Sequence, residues 1–196
     1  MNRETPVILA STSPYRRDLL ARLGIPFTVA APAVEETPLP DETPAQLVQR
    51  LAQAKAGAVF TQHPQAIVIG ADQMAVCAGA VLGKPGNAER AARQLRRVSG
   101  KRVDFLNGLA LMAPSLPAAR VELVIYTVHM RELSDEEIAG YIRRDHPFDC
   151  AGSFRSEGLG IALASRLEGD DPTALVGLPL IRLCTLLAAA GRPVLG

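Results

Sequence analysis

The four apolar residues Val7-Ile8-Leu9-Ala10 run directly into Ser11-Thr12-Ser13-Pro14. An apolar run this short, bounded by turn residues, reads as a buried strand. Ser13 suits a helix N-cap and Pro14 the first helical position. The helix that follows would carry Leu19, Leu20 and Leu23 on its inner face, with Gly24 at its C-terminal stop. Strand, Ser-rich turn, helix is a layout in which the unpaired N–H groups of a helix start face an anion.

The alternation continues. Residues 30–44 are rich in Pro, Glu and Thr and read as a loop; Thr43-Pro44 then opens a helix to about Phe60. Leu47 and Leu51 lie four apart on one face of it, and Lys55 continues that apolar row. Ala66 to Gly70 reads as a second buried strand, followed at once by Ala71-Asp72-Gln73. Gly79, Gly83, Pro85 and Gly86 mark turns around Lys84, before a basic helix from about Asn87 to Val98 that Ser99-Gly100 ends. Two strands, roughly 102–112 and 120–130, flank Pro114 and Pro117 and suggest an antiparallel hairpin. Ser134 with Glu137 forms a capping box, with Leu133 and Ile138 as its hydrophobic staple. That helix ends near His146-Pro147; a strand at about 159–163 and a helix at about 179–190 close the chain. The order implies an α/β fold with a mixed sheet and flanking helices, in one domain over 1–196.

Charge and cysteine usage exclude several classes. Lys and Arg total 21 against 20 Asp and Glu, a net charge of +1, whereas a general nucleic-acid binder carries a basic excess. Cys77, Cys150 and Cys184 are odd in number and widely spaced, which fits neither a disulfide framework nor a zinc site. The N-terminus lacks the profile of a signal peptide, and no apolar run approaches the roughly 18 residues of a membrane span. The expectation is a soluble, cytoplasmic protein that binds neither nucleic acid nor membrane.

Five groups of residues suit chemistry on a phosphorylated ligand. The hydroxyls of Ser11 and Ser13 and the start of the helix can bind phosphate oxygens, and Arg16 and Arg17 add bidentate donors. The same residues equally suit an ordinary capped helix, and the segment is not a Walker loop. Asp72, just past a strand, can hold Mg²⁺ or accept a proton from water, or simply form a turn. Glu35-Glu36 can add a carboxylate to such a site, one of the two pointing inward. Lys55, on an apolar row, either reaches an anion or snorkels into water; Lys84, fixed between Gly83 and Pro85, either reaches an anion or sits at a hairpin tip. Arg155-Ser156-Glu157, with Gly152, Gly158 and Gly160 around it, is either an approach for a ligand or a surface loop. Physical chemistry alone leads from these to a metal-dependent phosphoryl-transfer or phosphate-binding site, without choosing a base.

The segments ILASTSPYRRDLL, APAVEETP, RLAQAKA, IVIGADQ, GKP, SG and EGDDPTALVGLPLIRL together resemble the Maf family of nucleotide pyrophosphatases, in order and over almost the whole chain. The resemblance implies two lobes around a cleft, a fold shared in outline with inosine triphosphate pyrophosphatases, and cleavage between the α and β phosphates with Mg²⁺ or Mn²⁺. By position it makes Asp72 the catalytic carboxylate and Glu36, with Asp72, a metal ligand. Arg16, Arg17, Lys55 and Lys84 fall at phosphate-binding positions. A homodimer is compatible with it.

Ser-Thr-Ser-Pro-aromatic-Arg-Arg, GADQ, HPFDCAGSFRSEG and DPTALVGLPL resemble the 7-methyl-GTP branch of that family, which maps Tyr15, Gln73 and Glu157 to specificity positions. Methylation at N7 makes guanine cationic, and an aromatic face such as Tyr15 attracts a cation by ~0.5–2 kcal/mol. Glu157 suits the N1–H and N2–H donors of guanine, whereas uracil presents a carbonyl there. The implied role is removal of a modified nucleotide before it enters RNA. The alternatives are dTTP or UTP hydrolysis and a nucleotide-sensing regulator of septum formation. Glu35, where the family more often has Asp, and Asn107, where Thr is common, depart from the pattern.

Overall fold

A computed structural model describes residues 5–196. The order is β1 (Val7–Ala10), α1 (Pro14–Ala21), β2 (Thr28–Ala30), α2 (Pro44–Gln62), β3 (Ile67–Cys77), β4 (Ala80–Leu82), α3 (Ala88–Val98), β5 (Arg102–Met112), β6 (Arg120–Met130), α4 (Asp135–Asp145), β7 (Ala164–Glu168) and α5 (Leu180–Ala189). Short 3-10 turns occupy Ala151–Ser153, Leu159–Leu163 and Pro172–Leu175. The strands follow the order β2-β1-β3-β5-β6-β7, with β4 added to β3. β1 pairs parallel to β2 and β3, whereas β4 on β3 and β7 on β6 are antiparallel, so the sheet is mixed as expected. The β5–β6 hairpin is also antiparallel: Met130 N–H donates to Lys101 C=O and Asn107 Nδ2 to Val124 C=O, so the registers run in opposite senses.

The chain forms two compact units. The first comprises Met1–Asp72, Asn107–Val124 and Gly177–Gly196; the second comprises Gln73–Leu106 and Ile125–Val176.

In the first unit, Thr43 and Gln46 close a reciprocal capping box at the start of α2, and Pro44 needs no hydrogen-bond acceptor there. The helix buries Leu47, Val48, Leu51, Ala52, Lys55, Ala56 and Val59. Ile8, Ala10, Ala52, Ala56, Val59, Val68 and Ala110 form one core cluster, which seats α2 on β1, β3 and β5. The seat is close. A Cβ on Gly70 would lie 2.1 Å from Ala52 O, and one on Gly108 would lie 2.0 Å from Val48 O. Two glycines in the strands therefore let the helix backbone rest directly on the sheet.

In the second unit, α3 buries Ala91, Leu95 and Val98, and α4 buries Ile138, Tyr141 and Ile142. The Phe105 and Phe154 rings pack tilted, 5.8 Å between centroids. The predicted Ser134–Glu137 capping box is present, and α4 ends on His146 in the left-handed region at φ 47°.

Three expectations need correction. β3 does not stop at Gly70 but runs on to Cys77, because Ala75, Val76 and Cys77 gain a partner in β4. Asp72 therefore sits within a strand rather than after one. The segment 159–163 is a 3-10 turn; the strand it was expected to form lies at Ala164–Glu168, where β6 offers a ladder. Lys84 is on no hairpin tip, since Ala78 and Gly79 make that turn and Lys84 lies between β4 and α3. Strands β2 and β4, three residues each, carry too little periodicity to be read from sequence. No described helix is long and apolar enough to cross a membrane.

Candidate functional site

The geometry of the first unit follows from α2 resting on β3. Side chains two apart on a strand share a face. Gly70 meets Ala52 and Ala56, so Asp72 meets the same helix at its next inward residue, Lys55. Lys55 Nζ donates to Asp72 Oδ1 at 2.7 Å, and both residues are buried. The continuation of the Leu47–Leu51 row by Lys55 is thus a buried ammonium with a buried carboxylate opposite.

Glu36 completes a triad. Its Oε1 lies 2.6 Å from the same Nζ, although its side chain is exposed. The loop that carries Glu36 is clamped to α2 by Arg50, which pairs bidentately with Glu42 at 2.6 and 2.8 Å and donates to Thr37 O at 3.1 Å. These bonds from Arg50 hold the Glu42 carboxyl far below its usual value, at about 2. Glu35 turns the other way: its carboxylate accepts from the Thr37 N–H and hydroxyl, which lowers its pKa. Of the two adjacent glutamates, Glu36 is the one that reaches Lys55.

Arg16 joins these charges. Its Nε donates to Gly177 O at 2.8 Å, tying α1 to the Val176-Gly177-Leu178-Pro179 segment. Burial pushes the Arg16 pKa down, while the charges of Asp72 and Glu36 act on it in the opposite sense. Two cations and two carboxylates therefore share one locus of the first unit. Ser13 caps α1 by accepting from Arg16 N–H at 3.4 Å, and Ser11 Oγ accepts from Ser13 N–H at 3.1 Å. Both hydroxyls shape the turn at the helix start. Tyr15 is half-buried in the first turn of α1. Arg17 is exposed and pairs with Asp18 at 2.9 Å.

The remaining predicted residues belong to the second unit. Gln73 Nε2 donates to Ala174 O at 2.7 Å and Leu175 O at 3.1 Å, so its amide holds the Pro172–Leu175 turn. Asp171 is buried and caps that turn by accepting from Thr173 N–H at 3.0 Å. Lys84 is exposed. Glu157 is also exposed, with Ser156 Oγ donating to its Oε2 at 3.0 Å. The half-buried thiol of Cys150 is pushed up to about 12 by desolvation and by the charges of Asp149 and Glu157.

Sequence reasoning passed over Arg50, Gln94, Tyr141 and Asp145. Tyr141 Oη accepts from Arg155 N–H and donates to Ser153 O, both at 3.0 Å. Buried Asp145 accepts from Leu159 N–H at 3.0 Å. These residues sit on helices and act on loops eight or more residues away, beyond the reach of a helical period. Their only local signal was a polar side chain beside an apolar stripe.

Comparison with known proteins agrees with this layout. A protein of Nitrosococcus oceani named 7-methyl-GTP pyrophosphatase is 53% identical over 100% of both chains. Proteins of the same name from Albidiferax ferrireducens and Pseudomonas syringae pv. tomato are 54% and 51% identical, covering 97% and 96% of this chain and 96% and 98% of theirs. The solved structure of a HAM1 protein from Coxiella burnetii superposes with a TM-score of 0.51 at 16% identity, over 95% of this chain and 100% of that one, and shares the fold. A family model described as Maf-like protein matches residues 6–190, so the chain belongs to the Maf-like family.

Proposed function

We propose that this protein hydrolyses 7-methyl-GTP to 7-methyl-GMP and pyrophosphate. The observation that carries the reading is the convergence of Arg16, Glu36 and Asp72 around Lys55 in the first unit. The relatives of 51–54% identity that bear the name 7-methyl-GTP pyrophosphatase support the choice of substrate.

Asp72 is the candidate catalytic carboxylate. In a strand braced by α2 it has little freedom to move, which suits a group that must orient water against the α-phosphorus and take its proton. Lys55 donates to its Oδ1 at 2.7 Å and fixes the orientation of the carboxylate. Arg16 and Lys55, with Arg17, Ser11 and Ser13 at the helix start, neutralise and orient phosphate oxygens. In the second unit, Lys84 is assigned to phosphate and Gln73 and Glu157 to selection of the base, on the family pattern. Tyr15 offers the aromatic face for a cationic guanine.

Asp72 and Glu36 would hold Mg²⁺ or Mn²⁺. Their oxygens already point at one cation, the Lys55 ammonium, from 2.7 and 2.6 Å. Among the described residues no group of three or more His, Cys, Asp or Glu side chains is placed to hold a metal. That suits an ion bound by one or two carboxylates, which completes its shell with substrate phosphates and water. The ion would supply charge neutralisation at the phosphates.

A pyrophosphate-release assay over 7-methyl-GTP, GTP, dTTP and UTP, with and without Mg²⁺, tests the reading. The expected result is metal-dependent turnover, fastest on 7-methyl-GTP and lost in Asp72→Asn. Preference for dTTP or UTP would move the protein to the pyrimidine branch. Turnover on none, with full activity in no condition, would leave a nucleotide-sensing role. Glu157→Gln should lower the preference for the methylated base, and an unchanged preference removes Glu157 from that role.

A further inference from the structure

Two segments of the second unit carry residues assigned to the ligand: the turn holding Lys84 and the loop holding Glu157. They are far apart in sequence, and neither has a regular ladder of its own. They are nevertheless tied together. Gly86 N–H donates to Phe148 O at 2.9 Å, and Gly152 N–H donates to Gly83 O at 3.4 Å. The strongest link is a side chain on α3. Gln94 Nε2 donates to Gly83 O at 2.9 Å, while its Oε1 accepts from Ser153 Oγ at 2.6 Å.

The chemistry of that tip is specific. A carboxamide presents a donor and an acceptor on one carbon, so a single side-chain tip serves a carbonyl and a hydroxyl at once. Glutamate loses the donor, and leucine loses both. Ser153 has a backbone φ of 58°, a region that an L-residue occupies only when its surroundings over-determine it. It is fully buried, and its carbonyl is held by Tyr141 Oη while its hydroxyl is held by Gln94. Further along, Arg155 N–H is fixed by Tyr141 and Leu159 N–H by Asp145. The loop is thus anchored on both sides of Glu157, whose side chain stays exposed.

We propose that Gln94 is a positioning residue: it holds the Lys84 turn and the Glu157 loop in one frame, and discrimination between bases depends on that frame. The proposal rests on the assignment of Glu157 to base selection and adds to it a residue that touches no ligand. Its two hydrogen bonds divide the work. The bond to Gly83 fixes the lysine turn, and the bond to Ser153 fixes the glutamate loop.

The test compares Gln94→Leu and Gln94→Glu with the parent protein by two measurements. One is hydrogen–deuterium exchange at Gly86 and Gly152. The other is steady-state kinetics on 7-methyl-GTP and GTP. Gln94→Leu should speed exchange at both amides and lower the ratio of kcat/KM for 7-methyl-GTP over GTP, each by about tenfold for the loss of both hydrogen bonds. Gln94→Glu keeps the acceptor for Ser153 and loses the donor to Gly83. It should raise KM for both triphosphates several-fold while leaving the ratio near the parent value. A residue with a merely structural role would lower stability in both variants and move the ratio in neither. An unchanged ratio in Gln94→Leu, or unchanged exchange at the two amides, would overturn the proposal. A parent protein that turns over neither triphosphate removes the enzymatic reading instead, and the exchange data still decide whether Gln94 joins the two segments.

Discussion

Lys55 Nζ stands 2.7 Å from Asp72 Oδ1, with side-chain exposures of 9% and 11%. A pair so deeply placed is weakly stabilising as a whole, yet costly to break from one side. Lys55→Met removes the ammonium hydrogen-bonded to buried Asp72 and should cost about 3–5 kcal/mol in urea unfolding. Lys55→Met combined with Asp72→Leu should recover much of that loss while turnover stays at background. A single variant as stable as the parent would show that the pair carries no stability.

Glu42 gives a pH signature. Its carboxyl is held at about 2 by Arg50, below an ordinary value of 4.5. A depressed carboxylate contributes stability that is fully present above its unfolded pKa and lost as pH falls through the folded one. Parent and Glu42→Gln should therefore differ in melting temperature at pH 6, with the gap closing between pH 4.5 and about 2. A gap that persists below that window would assign the effect to packing rather than charge.

Gly70→Ala tests the seat of α2. The added Cβ would lie 2.1 Å from Ala52 O, so the helix must lift from β3. Overpacking of this kind costs typically 1–3 kcal/mol. Since Lys55 rides on the helix, turnover should fall by more than the loss of folded protein explains. Circular dichroism melts beside kinetics below the melting temperature separate the two effects.

Cys150 should be a poor nucleophile despite its partial exposure. With its thiol raised to about 12, little thiolate exists near neutral pH. Alkylation by iodoacetamide at pH 8, followed by peptide mass spectrometry, should run at least ~10-fold slower at Cys150 than for free cysteine. Fast labelling would show that burial does not hold the thiol in its neutral form.

Much of the site was legible in the sequence because its pieces are local. The Ser13-Pro14 cap, the Thr43-Pro44 start and the Ser134–Glu137 box each fix a helix with residues at most four apart. The apolar row of Leu47 and Leu51 already placed Lys55 inward. Only the family resemblance pointed to Glu36 over Glu35; residue chemistry could not choose, because the choice depends on Thr37 and on the clamp of Arg50.

The amino-acid order by itself determined the helices and their caps, the two strands of the β5–β6 hairpin, and the identity of the charged residues, since these follow from periodicity and from contacts between near neighbours. Tertiary packing alone decided that Asp72 lies within a strand, that Lys55 spends its charge on it, and that Gln94 ties Gly83 to Ser153. Those facts depend on how closely a helix rests on a sheet and on which distant backbone groups need partners, and no local pattern encodes either.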